Sequence, residues 1–120
     1  MAFTLDYTVY NFQIAYNEKR WFIQKRYSQF DKLDNVLNEK FPDVMISVQR
    51  LPPKKPFGSL SPALIAMRQK SLDAYLQAIL IRPVLVRSEE VRDFIDMPYD
   101  VRELYGEEQR HLIAAQDALR

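Results

Sequence analysis

The sequence predicts an α+β domain in which a β-hairpin leads into helices, with a proline-rich loop ahead of the longest helix. Three observations carry this reading. Apolar and polar residues alternate with period two from Tyr10 to Tyr16, apolar residues recur at helical spacing from Phe30 onward, and Pro52, Pro53, Pro56 and Pro62 cluster between two helical stretches. The chain has 120 residues, 48% hydrophobic and 28% charged, which is one globular domain rather than a disordered segment.

Phe3 to Tyr16 is rich in β-branched and aromatic residues. In its second half Tyr10, Phe12, Ile14 and Tyr16 share one face, which predicts a half-buried strand. Asn17-Glu18-Lys19-Arg20 suits a hairpin turn, and Trp21 to Tyr27 reads as the return strand, with Trp21 and Ile23 opposite Phe22 and Gln24. Ser28 is a good N-cap for a helix over Asp31 to Lys40, with Asp31 complementing the helix dipole. Phe30, Leu33, Leu37 and Phe41 fall on its core face, and Pro42 ends it. Val44 to Arg50 is ambiguous and is read as holding a short strand. The prolines that follow impose an extended loop, because each fixes its own backbone and restrains its predecessor. A long helix from Pro62 to Ile81, closed by Pro83, a shorter one over Ser88 to Asp96, and a polar helix from Val101 complete the chain. The expected organisation is a domain over 1–98 and a polar C-terminal helix or linker over 99–120.

Composition removes several function classes. The absence of cysteine excludes disulfides, thiolate metal sites and a cysteine nucleophile, and one histidine, His111, cannot build a multi-histidine site. Two glycines, Gly58 and Gly106, cannot form a phosphate-binding P-loop or a dinucleotide-binding turn. No nucleophile–base pair emerges, so the chain is not expected to be an enzyme, and neither a metal nor a cofactor is expected. Met1 to Tyr10 lacks the basic start and apolar core of a signal peptide, and Ala74 to Val86 is too short to span a bilayer, so a soluble, intracellular chain is expected.

The net charge of +1 hides an asymmetry. Residues 1–88 carry thirteen lysines and arginines against seven acids, and residues 89–120 carry four against nine. The window from Val44 to Leu72 holds Arg50, Lys54, Lys55, Arg68 and Lys70 and no acid, as suits a surface meeting a polyanion. Nucleic acid is not the expected partner, because no extended basic stripe appears.

Two features sharpen this. On the long helix Leu64, Ile65, Leu72, Tyr75, Leu76 and Ile79 form an apolar stripe with Arg68 near its middle. A charge aimed at a core is costly unless it is paired or meets an anion, so Arg68 is expected to point into a cleft beneath the proline loop; a local acid such as Asp43 or Asp73 is the plainer alternative. Arg26-Tyr27-Ser28-Gln29-Phe30 stands where strand gives way to helix. An arginine there can clamp an anion with a planar fork, while the adjacent tyrosine stacks on a sugar-like ring.

Arg26-Tyr27-Ser28-x-Phe30, Leu51-Pro52-Pro53-Lys54 with Pro56, and Arg68-x-x-x-Leu72 with Tyr75-Leu76 together resemble the phox-homology (PX) domain over roughly residues 7–98. The resemblance implies a three-stranded antiparallel sheet packed against a helical subdomain. It also implies binding of a phosphoinositide, most specifically phosphatidylinositol 3-phosphate. Arg26 would hold the 3-phosphate, Tyr27 would stack on the inositol ring, Lys54 would contact the 1-phosphate, and Arg68 the ring hydroxyls at positions 4 and 5. Ser28 would be chiefly the helix cap and Phe30 a core residue. Lys55, Phe57 and Leu60 are candidates for membrane contact, with charge beside apolar side chains as an anionic bilayer demands. The chain departs from the family pattern at its start, where only Met1 to Asp6 precede the matching segment, so the first strand is expected to be short, absent or lost through truncation. The implied module is cytoplasmic and recruited to the cytosolic face of endosomes or vacuole-like membranes, in protein transport. The alternative is a protein-interaction module with weak or no lipid binding, its partner reached through the proline loop or the C-terminal helix.

Overall fold

A computed structural model describes residues 8–54 and 61–102. Two strands, β1 (Val9–Tyr16) and β2 (Lys19–Arg26), form an antiparallel hairpin in which Tyr16 pairs with Lys19 and Val9 with Arg26. The loop is therefore only Asn17-Glu18, and both residues take positive φ, 49° and 64°, as a tight primed turn requires. β2 begins two residues earlier than expected because Lys19 and Arg20 already pair. Among the described residues the sheet has two strands, not three; the expected first strand precedes Thr8 and lies outside them.

The period-two pattern is realised. Tyr10, Phe12, Ile14 and Ile23 face inward and are buried, whereas Phe22 on the opposite face is 78% exposed. Among the described residues the labelled helices that follow are α1 (Tyr27–Lys40), α2 (Pro42–Met45), α3 (Pro62–Leu80), α4 (Pro83–Val86) and α5 (Glu89–Phe94), with a further helical turn over 99–102. Proline occupies the first position of α2, α3 and α4, where its missing N–H has no intrahelical partner to lose. Pro42 and Pro83 thus end one helix by opening the next. Ser61 and Ser88 cap α3 and α5, accepting from the amides of Leu64 at 3.2 Å and Val91 at 3.3 Å.

Two expectations are corrected. Ser28 is not the cap of α1: the helix starts at Tyr27 with Arg26 as N-cap, and the Arg26 amide donates to Gln29 Oε1 at 2.9 Å. A glutamine at the third helical position captures that amide, so strand passes into helix without a loop, and Asp31 lies beyond the first turn. Val44 to Arg50 holds no strand. Val44 and Met45 belong to α2, and Ser47 and Val48 close back on Val44 and Met45 through 3.2 Å and 3.0 Å bonds.

Phe30 is the hub of the core, fully buried with its ring edge-on to Phe12 of β1, Tyr75 of α3 and Phe94 of α5 at centroid distances of 5.3, 6.2 and 4.8 Å. One side chain thus joins the sheet to two helices. The hairpin is also tied to the segment after α5. Trp21 Nε1 donates to the Ile95 carbonyl at 2.7 Å, and Lys25, its ammonium over the Phe94 ring, lies 3.6 Å from Asp96. Residues 99–102 are helical, Val101 is buried, and Arg102 donates to the carbonyls of Met97 and Arg92. At the other end of α3, Arg82 donates to Ser47 Oγ and Ser47 O and so fixes the α2 turn to the helix.

Candidate functional site

The site is built where three separate stretches of chain meet: the β2–α1 junction, the proline loop and α3. Arg26 is the last residue of β2; its neighbour Lys25 faces the core, so alternation puts Arg26 on the solvent face. Tyr27 opens α1 and is half-buried. Its hydroxyl donates to the Pro52 carbonyl at 2.6 Å. Arg68 lies mid-stripe on α3 and is only 7% exposed. Its guanidinium carbon stands 4.3 Å from the centroid of the Tyr27 ring, and Nη2 donates to the Pro53 carbonyl at 2.6 Å.

The two consecutive prolines suit this role. Their ring nitrogens carry no hydrogen, their backbone is preset, and both carbonyls are available as acceptors. One accepts from the β2–α1 junction and the other from α3. Lys54 follows directly and is exposed. The structure thus brings Tyr27 and Arg68 into contact, with Arg26 and Lys54 adjoining that contact along the chain. Lys55, Phe57 and Leu60 lie outside the described residues.

The electrostatics are distinctive. Among the described residues no carboxylate lies within ion-pair distance of Arg68; the ion pairs are Lys19–Asp100, Lys25–Asp96, Lys40–Glu90 and Arg102–Asp93. The Asp43 and Asp73 alternative is therefore not realised. A guanidinium has five N–H donors, and the bond to Pro53 uses one of them. Burial pushes the Tyr27 phenol above its ordinary pKa, and the fields of Asp31 and Asp34 push it further against the opposing charge of Arg68. Tyr27 is accordingly a neutral hydrogen-bond donor at physiological pH. Asp34 is itself held, accepting the Tyr75 hydroxyl at 2.7 Å on Oδ1.

Sequence reasoning finds the buried arginine, because a charge in an apolar stripe is visible on a helical wheel. It misses both carbonyl ties. No residue pattern announces that Pro52 and Pro53 will serve as acceptors for side chains 25 and 15 positions away.

The model of the PX domain family matches residues 14–98. The chain belongs to the PX domain family. Members of this family generally bind phosphoinositide lipids in membranes. The chain is 33% identical over 92 residues to the serine/threonine-protein kinase Sgk3 of Rattus norvegicus, covering 76% of this chain and 18% of that protein. It is 38% identical over 81 residues to sorting nexin MVP1 of Kluyveromyces lactis, covering 66% of this chain and 15% of that one. A solved structure of a designed CISK-PX domain superposes with a TM-score of 0.65 at 31% identity, over 72% of this chain and 80% of that one. The chain thus spans under a fifth of the length of these two relatives.

Proposed function

We propose that this PX domain recognises phosphatidylinositol 3-phosphate and brings the protein that carries it to the cytosolic face of endosomal or vacuole-like membranes. The observation that carries the reading is Arg68: a nearly buried guanidinium, stacked on a tyrosine, with no carboxylate partner among the described residues. Such a group is poised for a hydroxyl-rich anion.

In this reading Arg26 holds the 3-phosphate through charge-assisted bonds, Tyr27 supports the inositol ring, Arg68 donates to the ring hydroxyls at positions 4 and 5, and Lys54 meets the 1-phosphate. Lys55, Phe57 and Leu60 then contact the bilayer, each basic side chain near the surface adding about 1 kcal/mol. Headgroup recognition and surface attraction act together, so binding is reversible and depends on lipid composition. In this reading the module acts by binding rather than by catalysis, and residues 99–120 serve as a polar C-terminal helix or linker.

The test is vesicle flotation across mono- and polyphosphorylated phosphoinositides with the wild-type chain and Arg26→Ala. Losing one or two charge-assisted hydrogen bonds, each worth about 1.5–3 kcal/mol, lowers affinity at least about tenfold. Wild-type affinity in a folded Arg26→Ala protein refutes the role given to Arg26. Equal binding to every anionic lipid refutes the selectivity.

A further inference from the structure

The cleft bounded by α1 and the chain from Met45 to Pro53 has a volume of about 550 Å³ and a charge pattern unlike that of the headgroup site. One wall is a ridge of α1 carrying Tyr27, Asp31, Asp34 and Asn38, residues three or four apart and so aligned along the helix. The other wall is apolar at Met45, Ile46, Val48 and Leu51, with Arg50 beside them. Tyr27 and the proline pair are the common wall of the two sites: the Tyr27 ring faces Arg68, and the same residue lines this cleft.

Three properties define what the cleft accepts. Asp31 and Asp34 make no ion pair among the described residues, and Asp34 is oriented by its bond to Tyr75, so two carboxylates stand on one wall without a cation. Their field acts on the Tyr27 phenol of the same wall, whose ionisation both oppose. A phosphate is therefore repelled here and a cation attracted. Second, Ile46 is 84% exposed at the cleft while Met45 and Val48 beside it are buried, which offers a graded apolar surface to a side chain from outside. Third, Gln49, Arg50 and Leu51 lie outside helix and strand and make no backbone–backbone hydrogen bond among the described residues, so their peptide groups can pair with an added extended chain.

We propose that this cleft is a docking groove for a short extended segment of a partner protein that carries a lysine or arginine next to an aliphatic side chain. The cation lies against Asp31 and the outer oxygen of Asp34. The aliphatic group covers Ile46 and Val48. Arg50 on the opposite wall confines the partner's positive charge to the α1 side, which sets the direction of the segment. Of the four residues given to the headgroup, Tyr27 alone lines the groove, as the shared wall, and Arg26, Lys54 and Arg68 do not, so the two readings are tested through different side chains.

The test is an NMR titration of the full, ¹⁵N-labelled chain with a synthetic nonapeptide of alternating arginine and leucine, and with the same peptide bearing glutamate for arginine. The arginine peptide is expected to shift the amides of Asp31, Asp34, Ile46 and Gln49 saturably, and the glutamate peptide to leave them in place. Exposed charge pairs are individually weak, so Asp31→Asn lowers affinity about two- to fivefold, and Asp31→Asn with Ile46→Ser at least about tenfold. Both positions are exposed, so the fold survives, which an unchanged amide spectrum verifies. Flotation on vesicles containing phosphatidylinositol 3-phosphate is run on the same variants and stays at the wild-type level, so failure of the groove and failure of the lipid site are separately visible. No saturation up to millimolar peptide, shifts confined to residues outside the groove, or undiminished affinity in the double variant each overturn the proposal.

Discussion

Replacing Arg68 by methionine separates a side chain kept for a ligand from one kept for the fold. In the ligand-free domain Arg68 contributes one charged hydrogen bond to Pro53, worth about 1.5–3 kcal/mol, and a stack on Tyr27 worth about 0.5–2 kcal/mol. Against these stands the cost of holding a 7% exposed ion without a carboxylate partner among the described residues, an effective penalty of several kcal/mol. Methionine has a similar reach, adapts to irregular gaps, and extends the apolar stripe between Leu64 and Leu72. The two sides nearly cancel. Arg68→Met is expected to change unfolding free energy by less than about 2 kcal/mol, whereas Leu72→Ala, at a fully buried position of the same stripe, costs about 2–5 kcal/mol. Urea unfolding measures both through the midpoint, provided the slope is unchanged. The same Arg68→Met protein is expected to lose at least about tenfold in affinity for vesicles containing phosphatidylinositol 3-phosphate. A stability loss above about 4 kcal/mol, the scale of breaking a buried pair, would show that the arginine is there for packing, and the reasoning fails.

Further expectations concern the surrounding frame. Tyr27→Phe keeps the ring that meets Arg68 but deletes the bond to Pro52, so it is expected to weaken headgroup binding about fivefold, the equivalent of about 1 kcal/mol, without altering lipid selectivity; calorimetry with a soluble short-chain headgroup checks this. Phe30→Ala removes contacts to three elements at once and is expected to cost about 3–5 kcal/mol, read by chemical unfolding, while Ser88→Ala, which loses one cap, costs about 1 kcal/mol. The Lys40–Glu90 pair joins α1 to α5 and raises the Lys40 pKa while lowering that of Glu90, in each case chiefly through their side-chain hydrogen bond. Its contribution is therefore present above the unfolded carboxylate pKa, and is lost as pH falls through the depressed Glu90 value; at the alkaline end it is lost as pH rises through the raised Lys40 value. Melting curves of wild type and Glu90→Gln should converge in acid and differ at neutral pH, and a constant difference across the acid range would refute the coupling.

Much of the fold can be read from local chemistry. The hairpin follows from strict alternation, and α3 runs from Pro62 to Leu80, ending one residue before the expected stop, because a serine–proline start and a following proline bracket it. Arg68 is conspicuous for a simple reason: a charge on an apolar stripe violates the pattern around it. The start of α1 is not legible, since Ser28 is a better cap by residue type than Arg26 and is displaced only because Gln29 reaches the Arg26 amide. The segment after Pro42 misleads because its valine, methionine and isoleucine suit a strand by type, whereas Pro42 at a helical first position and the clamp from Arg82 hold it turned. Contacts from Tyr27 and Arg68 to carbonyls leave no trace in residue identity. They arise from tertiary placement, which is where sequence patterns carry least information.

The direct passage of β2 into α1 has a consequence for how this domain tolerates length changes. One residue inserted between Arg26 and Tyr27 would rotate the whole of α1 by about 100° about its axis, swinging Phe30 away from Phe12, Tyr75 and Phe94 and carrying Tyr27 off the Arg68 guanidinium. A deletion there does the same in the opposite sense. This seam is thus a fixed joint: insertions that a surface turn would absorb are disallowed here, because the hub of the interior and the wall of the proposed site hang from the same four-residue stretch.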